Sequence, residues 1–134
     1  MPIIEVARES MYQAFVSGWD TFTTFTFENE DFTPPNSDSW VRMYVRHDDR
    51  NQETLGRVGN RKFESEGRIV VQIFTLLNKG AGAADPIVEK VRSIFEGKTI
   101  NGIRYHIVNY RELDSDNKWH MVVAEVSFVY NETK

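Results

Sequence analysis

The stretch Arg61-Lys-Phe-Glu-Ser-Glu-Gly-Arg-Ile-Val-Val-Gln-Ile-Phe-Thr-Leu-Leu77 decides the fold. Read as one strand, it would span roughly 50 Å at the usual rise per residue. Up to Glu66 it is mostly polar, whereas Ile69 to Leu77 is apolar on both faces. The second half therefore belongs in the middle of a sheet and the first half is expected to project. Gly67, between them, is expected to bend or bulge this strand.

On the C-terminal side, Gly80-Ala-Gly-Ala-Ala leads into a helix whose N-cap is expected at Asp85, with Pro86 at the first helical position. Ile87, Val88, Val91, Ile94 and Phe95 form its apolar stripe, Glu89, Lys90, Arg92 and Glu96 face outward, and Gly97 closes it. Ile100-Asn-Gly-Ile103 is a two-residue hairpin signal. A strand from about Tyr105 to Leu113, the loop Asp114 to Lys118 and a long strand from Trp119 to Tyr130 complete the chain. Val122, Ala124, Val126 and Phe128 line one side of that last strand.

On the N-terminal side, Ile4, Ala7, Met11 and Phe15 recur at helical spacing, with Pro2 near the start and Gly18 at the end. Thr21 to Phe27 alternates threonine and phenylalanine and reads as a strand. Asn29 to Ser39, with Pro34-Pro35, reads as a loop of about ten residues. Trp40 to Arg46 puts Val41, Met43 and Val45 on one face and Trp40, Arg42, Tyr44 and Arg46 on the other. His47 to Asn60, polar apart from Leu55 and Val58, reads as a mobile excursion. The sum is an α+β fold, a mostly antiparallel β-sheet with two amphipathic helices packed on one face and a projecting long hairpin or loop.

The 134 residues suit a single domain, and 40% hydrophobic with 13% aromatic residues suffices for a core. A net charge of −4 and a pI near 5.4 leave no global basic footprint for nucleic acid. The chain has no cysteine, hence no disulfide framework and no thiol nucleophile. Its start lacks the pattern of a signal peptide, and no stretch approaches the length of a membrane span, so synthesis in the cytosol and no membrane partner are expected.

Residue chemistry points away from an enzyme. His47, His106 and His120 lie in different elements without ligand spacing, which argues for partly exposed histidines near strand ends rather than metal ligands. Asp114-Ser-Asp116 opens like a calcium loop, but Lys118 stands where an oxygen ligand belongs. Gly80-Ala-Gly82 lacks the lysine and third glycine of a phosphate cradle, and no serine sits between glycines as in a nucleophile elbow. Asp48-Asp49, flanked by Arg46 and Arg50, reads as a solvated charge cluster. No catalytic, metal or cofactor-binding residue is therefore expected, and no cofactor.

The one local charge feature runs from Arg42 to Arg68, where Arg42, Arg46, Arg50, Arg57, Arg61, Lys62 and Arg68 slightly outnumber Asp48, Asp49, Glu53, Glu64 and Glu66. Mixed charge favours a subunit interface, because phosphate tracking uses one sign. The alternative is a small nucleic-acid-binding module in which Trp40 and Tyr44 stack on bases. The candidate contact residues for a neighbouring subunit or tube are Arg46, Asp48, Asp49, Arg50, Leu55, Arg57, Arg61, Lys62 and Glu64.

One order of segments spans the chain from about Trp19 to Glu132. It runs Phe32-Thr-Pro-Pro35, Trp40-Val-Arg-Met-Tyr-Val45, Leu55-Gly56, Gly67-Arg-Ile-Val-Val-Gln-Ile-Phe74, Phe95-Glu-Gly-Lys-Thr-Ile-Asn-Gly-Ile-Arg-Tyr105, Trp119-His-Met-Val-Val and Val126-Ser-Phe-Val-Tyr130. In that order and spacing it resembles the tail-terminator-like proteins of tailed phages with long non-contractile tails. The resemblance implies an α+β subunit that assembles with itself into a ring, commonly a hexamer, at the head-proximal end of the tail. Such a ring would cap the tail tube protein, stop its polymerisation and present a surface to head-completion or neck proteins. DNA would meet it only by passing through the lumen, and assembly would take place in the host cytoplasm. A neck or tail-completion protein of similar fold is the nearest alternative.

Overall fold

A computed structural model describes residues 4–20, 22–28, 30, 32–35, 38–77, 81–113 and 118–134. Helix α1 (Ile4–Trp19) is followed by β1 (Thr24–Phe27), β2 (Trp40–Gln52), β3 (Lys62–Leu76), a 3-10 turn (Ala81–Ala84), α2 (Asp85–Phe95), β4 (Thr99–Ile100), β5 (Ile103–Glu112) and β6 (Trp119–Thr133). The strands form one six-stranded sheet in the order β1-β2-β3-β6-β5-β4. Every pairing is antiparallel except β1 with β2, which run parallel, Phe25 lying beside Val41. The fold is α+β and mostly antiparallel, as the patterning predicts.

The period-two alternation builds a single core. Val41, Met43 and Val45 of β2, Ile69, Val71 and Ile73 of β3, and Val122, Ala124, Val126, Phe128 and Tyr130 of β6 bury their side chains on one face. Ala7, Met11, Phe15 and Trp19 of α1 pack there with Ile87, Val88, Val91, Ile94 and Phe95 of α2. Both helices thus cover the same face; the stripe of α2 is the one its spacing announced, whereas that of α1 runs from Ala7 to Trp19 and leaves Ile4 exposed. No helix among the described residues is long and apolar enough to cross a membrane.

Several local expectations need correction. Gly18 does not end α1: a Cβ there would stand 2.6 Å from Ile94 Cγ1, so glycine serves the close approach of the helices, and Asp20, at φ 54°, turns the chain. The N-cap of α2 is Ala84, not Asp85, because the preceding 3-10 turn feeds directly into the helix. The expected strand from Thr21 begins at Thr24. Pro2, Thr21, Gly80 and the loop residues 114–117 lie outside the described residues. The Asn101-Gly102 turn holds as read, with φ of 52° and 80° and Ile100 paired with Ile103.

The largest correction concerns His47 to Asn60. β2 does not stop at Arg46 but continues to Gln52, with Asp49 to Gln52 pairing Glu66 to Phe63 of β3. The bulge expected in β3 at Gly67 sits instead on β2, where the register shifts between His47 and Asp49 and Asp48 is the extra residue. Gly67 permits it: a Cβ there would lie 2.1 Å from the Arg46 carbonyl oxygen and 2.8 Å from Phe128 Cζ. Nor does the polar half of β3 stand free, since Lys62 to Glu66 also pair Thr133 to Val129 of β6. A polar sequence hid this strand pairing because its side chains meet water or one another while its backbone completes the ladder.

Candidate subunit interface

Beyond the helices, the core-facing side of β2, β3 and β6 changes from apolar to polar. His47 directs Nε2 at Tyr130 Oη, 2.8 Å away, and Nδ1 lies 3.4 Å from Arg8 Nη2 of α1. Arginine only donates, so Nδ1 accepts and Nε2 carries the hydrogen that it donates to Tyr130. Burial, followed by the Arg8 cation, holds the His47 pKa below its ordinary value. Burial raises that of Tyr130. One step further out, Arg50 Nε donates to Ser65 Oγ at 2.9 Å, and Arg50 Nη2 meets Glu132 Oε1 at 2.5 Å. Ser65 and Glu132 are buried, so Arg50 closes a polar layer that continues the core.

The hairpin above this layer is anchored at its neck. Glu53 N–H donates to the Lys62 carbonyl at 2.7 Å, and Lys62 N–H donates to Thr54 Oγ1 at 2.8 Å. Arg61 and Lys134 exchange backbone hydrogen bonds, extending the β3–β6 ladder by one pair. Arg50, Arg61 and Lys134 all lie over the Phe63 ring, at 5.8, 5.9 and 5.6 Å. At the tip, Asn60 N–H donates to the Arg57 carbonyl at 2.9 Å in a turn that contains Gly59 at φ 95°. Every residue from Asp48 to Asn60 is exposed, and Leu55 and Val58 are 93% and 82% exposed.

The residues marked out by sequence therefore separate into three places. Arg46 makes a two-pronged ion pair with Glu28, at 2.6 and 2.7 Å, and lies over Tyr44. That bond lowers the Glu28 pKa and raises that of Arg46. Asp48, Asp49, Arg50 and Glu64 belong to the hairpin stem, where Asp49 Oδ1 accepts from the Arg50 N–H at 2.9 Å and Glu64 pairs Asn51. Leu55, Arg57, Arg61 and Lys62 surround the tip and neck. Sequence reasoning missed Arg8, His47, Ser65, Tyr130 and Glu132. A signal was present in β6, where Glu132 continues the core-facing series of Phe128 and Tyr130 with a carboxylate.

The opposite sheet face carries Trp40 stacked on Phe74 (4.1 Å, 10°), with Phe32 and the edge of Trp119 against it. Trp40 is only 4% exposed, so of the two rings that the alternative reading sets against bases, Trp40 is already covered by this chain's own rings and Tyr44 is half-buried. Further along that face Glu125 lies between Arg68 (3.6 Å) and Arg111 (3.4 Å) in a shallow groove. Among the described residues no group of three or more histidine, aspartate or glutamate side chains is arranged to hold a metal ion. What the molecule offers is contact surface: an anchored hairpin with an apolar tip.

No family model matches the chain, and no curated protein matches it. Among the solved structures that do, one chain superposes with a TM-score of 0.64 over 91% of this chain and 94% of its own, at 14% identity. Its name is a serial identifier that describes no activity. At that identity the likeness shows a shared fold and nothing beyond it.

Proposed function

We propose that this chain is the ring-forming subunit that caps the tail tube of a tailed phage, ends its polymerisation and gives head-completion proteins a surface to join. The chain-wide order of segments from Phe32 to Tyr130 supports the family, and the observation that carries the assembly role is the hairpin tip. Leu55 and Val58 are an apolar pair held in water on a stem in which β2 is paired to β3 as far as Gln52 and Phe63. Burying two such side chains in a neighbour is worth about 1.5–3 kcal/mol each when complete. An anchored stem presents them without the ordering cost of a mobile loop. The partners are further copies of this chain, the tube protein and the neck proteins, and the place of action is the head-proximal end of the tail. The role requires no catalytic step and no cofactor.

Deleting the gene from its phage or prophage is expected to give overlong tails that lack heads, seen by electron microscopy. Normal infectious particles would overturn the proposal. Tails of normal length without heads would transfer the chain to a neck or tail-completion role.

A further inference from the structure

We infer that copies of this chain join edge to edge, the open edge of β2 in one copy pairing antiparallel with the open edge of β5 in the next, with Asp49 opposite Arg111. The inference deepens the ring reading and rests on it for closure, while the pairing itself follows from the sheet. β1 covers β2 only along Trp40 to Met43, and β4 covers β5 only at Ile103 and Arg104. Lys98 and Gly97 bond Tyr105 and His106, and the Glu96 carboxylate accepts from the Val108 N–H, which together close the start of the β5 edge. From Tyr44 to Gln52 and from Asn109 to Glu112, no strand among the described residues pairs the outward side. Neither segment contains proline or lysine; the β2 segment does carry the Asp48 bulge and four charged side chains, and the proposed pairing lies on the stretch beyond that bulge, where those charges can be matched. Ile107, Tyr110 and Leu113 add exposed apolar surface beside β5, at 61%, 58% and 38%.

Polarity permits the match. β2, β3, β6 and β5 are successive antiparallel neighbours, so β2 and β5 run in opposite directions. A second copy set beside the first, same face up, therefore continues the sheet with another antiparallel pair. The two edges differ, so the contact is head-to-tail and repeats until a ring closes.

Two independent constraints select the register. Leu113 N–H donates to Met121, which turns Asn109 and Arg111 toward β6 and leaves the backbone groups of Tyr110 and Glu112 facing out. Glu53 N–H donates to Lys62, which likewise turns Asn51 toward β3 and leaves Arg50 and Gln52 facing out. By side chain, Arg50 lies on the helix face with Ser65 and Tyr110 on the same face over Ala124, while Asp49 and Arg111 lie on the opposite face. With Asp49 opposite Arg111, the Arg50 N–H leaves Asp49 Oδ1, which accepts it at 2.9 Å in the single chain, so that Arg50 and Tyr110 exchange backbone hydrogen bonds and bring a guanidinium to an aromatic ring. The carboxylate and guanidinium meet on the other face, and Asn51 meets Asn109. Slipping by one residue reverses the faces. Slipping by two sets Asp49 against Leu113 or Asn109 and loses the charge pair.

The chain has no cysteine, so introduced thiols are the only ones. Residues opposite each other at a non-hydrogen-bonded antiparallel pair lie about 4.5 Å apart at Cα, within disulfide reach. Full-length D49C and R111C, oxidised together, should form an interchain disulfide that neither forms alone, and D49C/R111C should give a ladder that ends at the ring. D49R should lose the oligomer and D49R/R111D should regain it; failure to regain it overturns the Asp49–Arg111 register. No disulfide in the mixture, while the unaltered protein sediments as an oligomer, overturns edge pairing and leaves the ring standing. A disulfide in either variant alone overturns the head-to-tail arrangement, and a monomer without cross-links overturns edge pairing and ring together. The expected disulfide with normal particles in the deletion strain keeps edge pairing and overturns the terminator role.

Discussion

Arg50 of β2 reaches across β3 to Glu132 of β6, with Nη2 2.5 Å from the carboxylate and Nε donating to Ser65 in between. The Glu132 side chain is 8% exposed and that of Arg50 37%. The pair therefore staples three strands at the level where apolar packing ends. Leaving a buried acceptor without its donor costs about 1–3 kcal/mol. Arg50→Ala is expected to lower unfolding free energy by about that amount, read from urea midpoints. Arg57→Ala, at the exposed tip, should stay within about 0.5 kcal/mol of the parent. Equal effects would contradict the staple.

Gly67 faces the bulge of β2, and the Arg46 carbonyl oxygen would lie 2.1 Å from any Cβ placed there. A backbone oxygen in a paired strand has nowhere to move. Gly67→Ala should cost about 3 kcal/mol or more, at or beyond the upper end for an overpacked core. A thermal melt unchanged from the parent would show that the bulge is not as tight as described.

His47 binds a proton less readily folded than unfolded, because burial and Arg8 both oppose the imidazolium. As pH falls below the unfolded value near 6.5, the unfolded chain takes up the proton first, and stability drops until the lower folded pKa is passed. Urea midpoints should therefore decline from pH 7.5 toward pH 5. Subtracting the curve of His47→Gln should isolate this slope, and identical pH dependence in both proteins would exclude His47 as its source.

Leu55 and Val58 touch little of their own chain, so Leu55→Asp with Val58→Asp should change stability by no more than about 0.5 kcal/mol each. The same double variant should fail to complement a deletion strain, leaving overlong tails. Full complementation would remove the tip from the assembly surface.

Sequence spacing alone determined a large part of this molecule. The stripe of α2, the buried faces of β2, β3 and β6, and the Asn101-Gly102 turn follow from periods of 3.6 and 2 and from the demand for positive φ, all of which are local. The mostly antiparallel order and the common face of the helices follow from hairpin links and one apolar face per element.

Tertiary structure alone decided that polar residues 47–52 form a strand, that the bulge falls on β2 rather than β3, and that Arg50 finds Glu132. Each depends on a partner distant in the chain: Gly67 for the bulge, β3 for the strand, β6 for the ion pair. Backbone hydrogen bonding is indifferent to side-chain polarity, so hydropathy is silent where a sheet runs out past its core. That is where the candidate contact surface of this protein lies, on a stem set by pairing and a tip left in water.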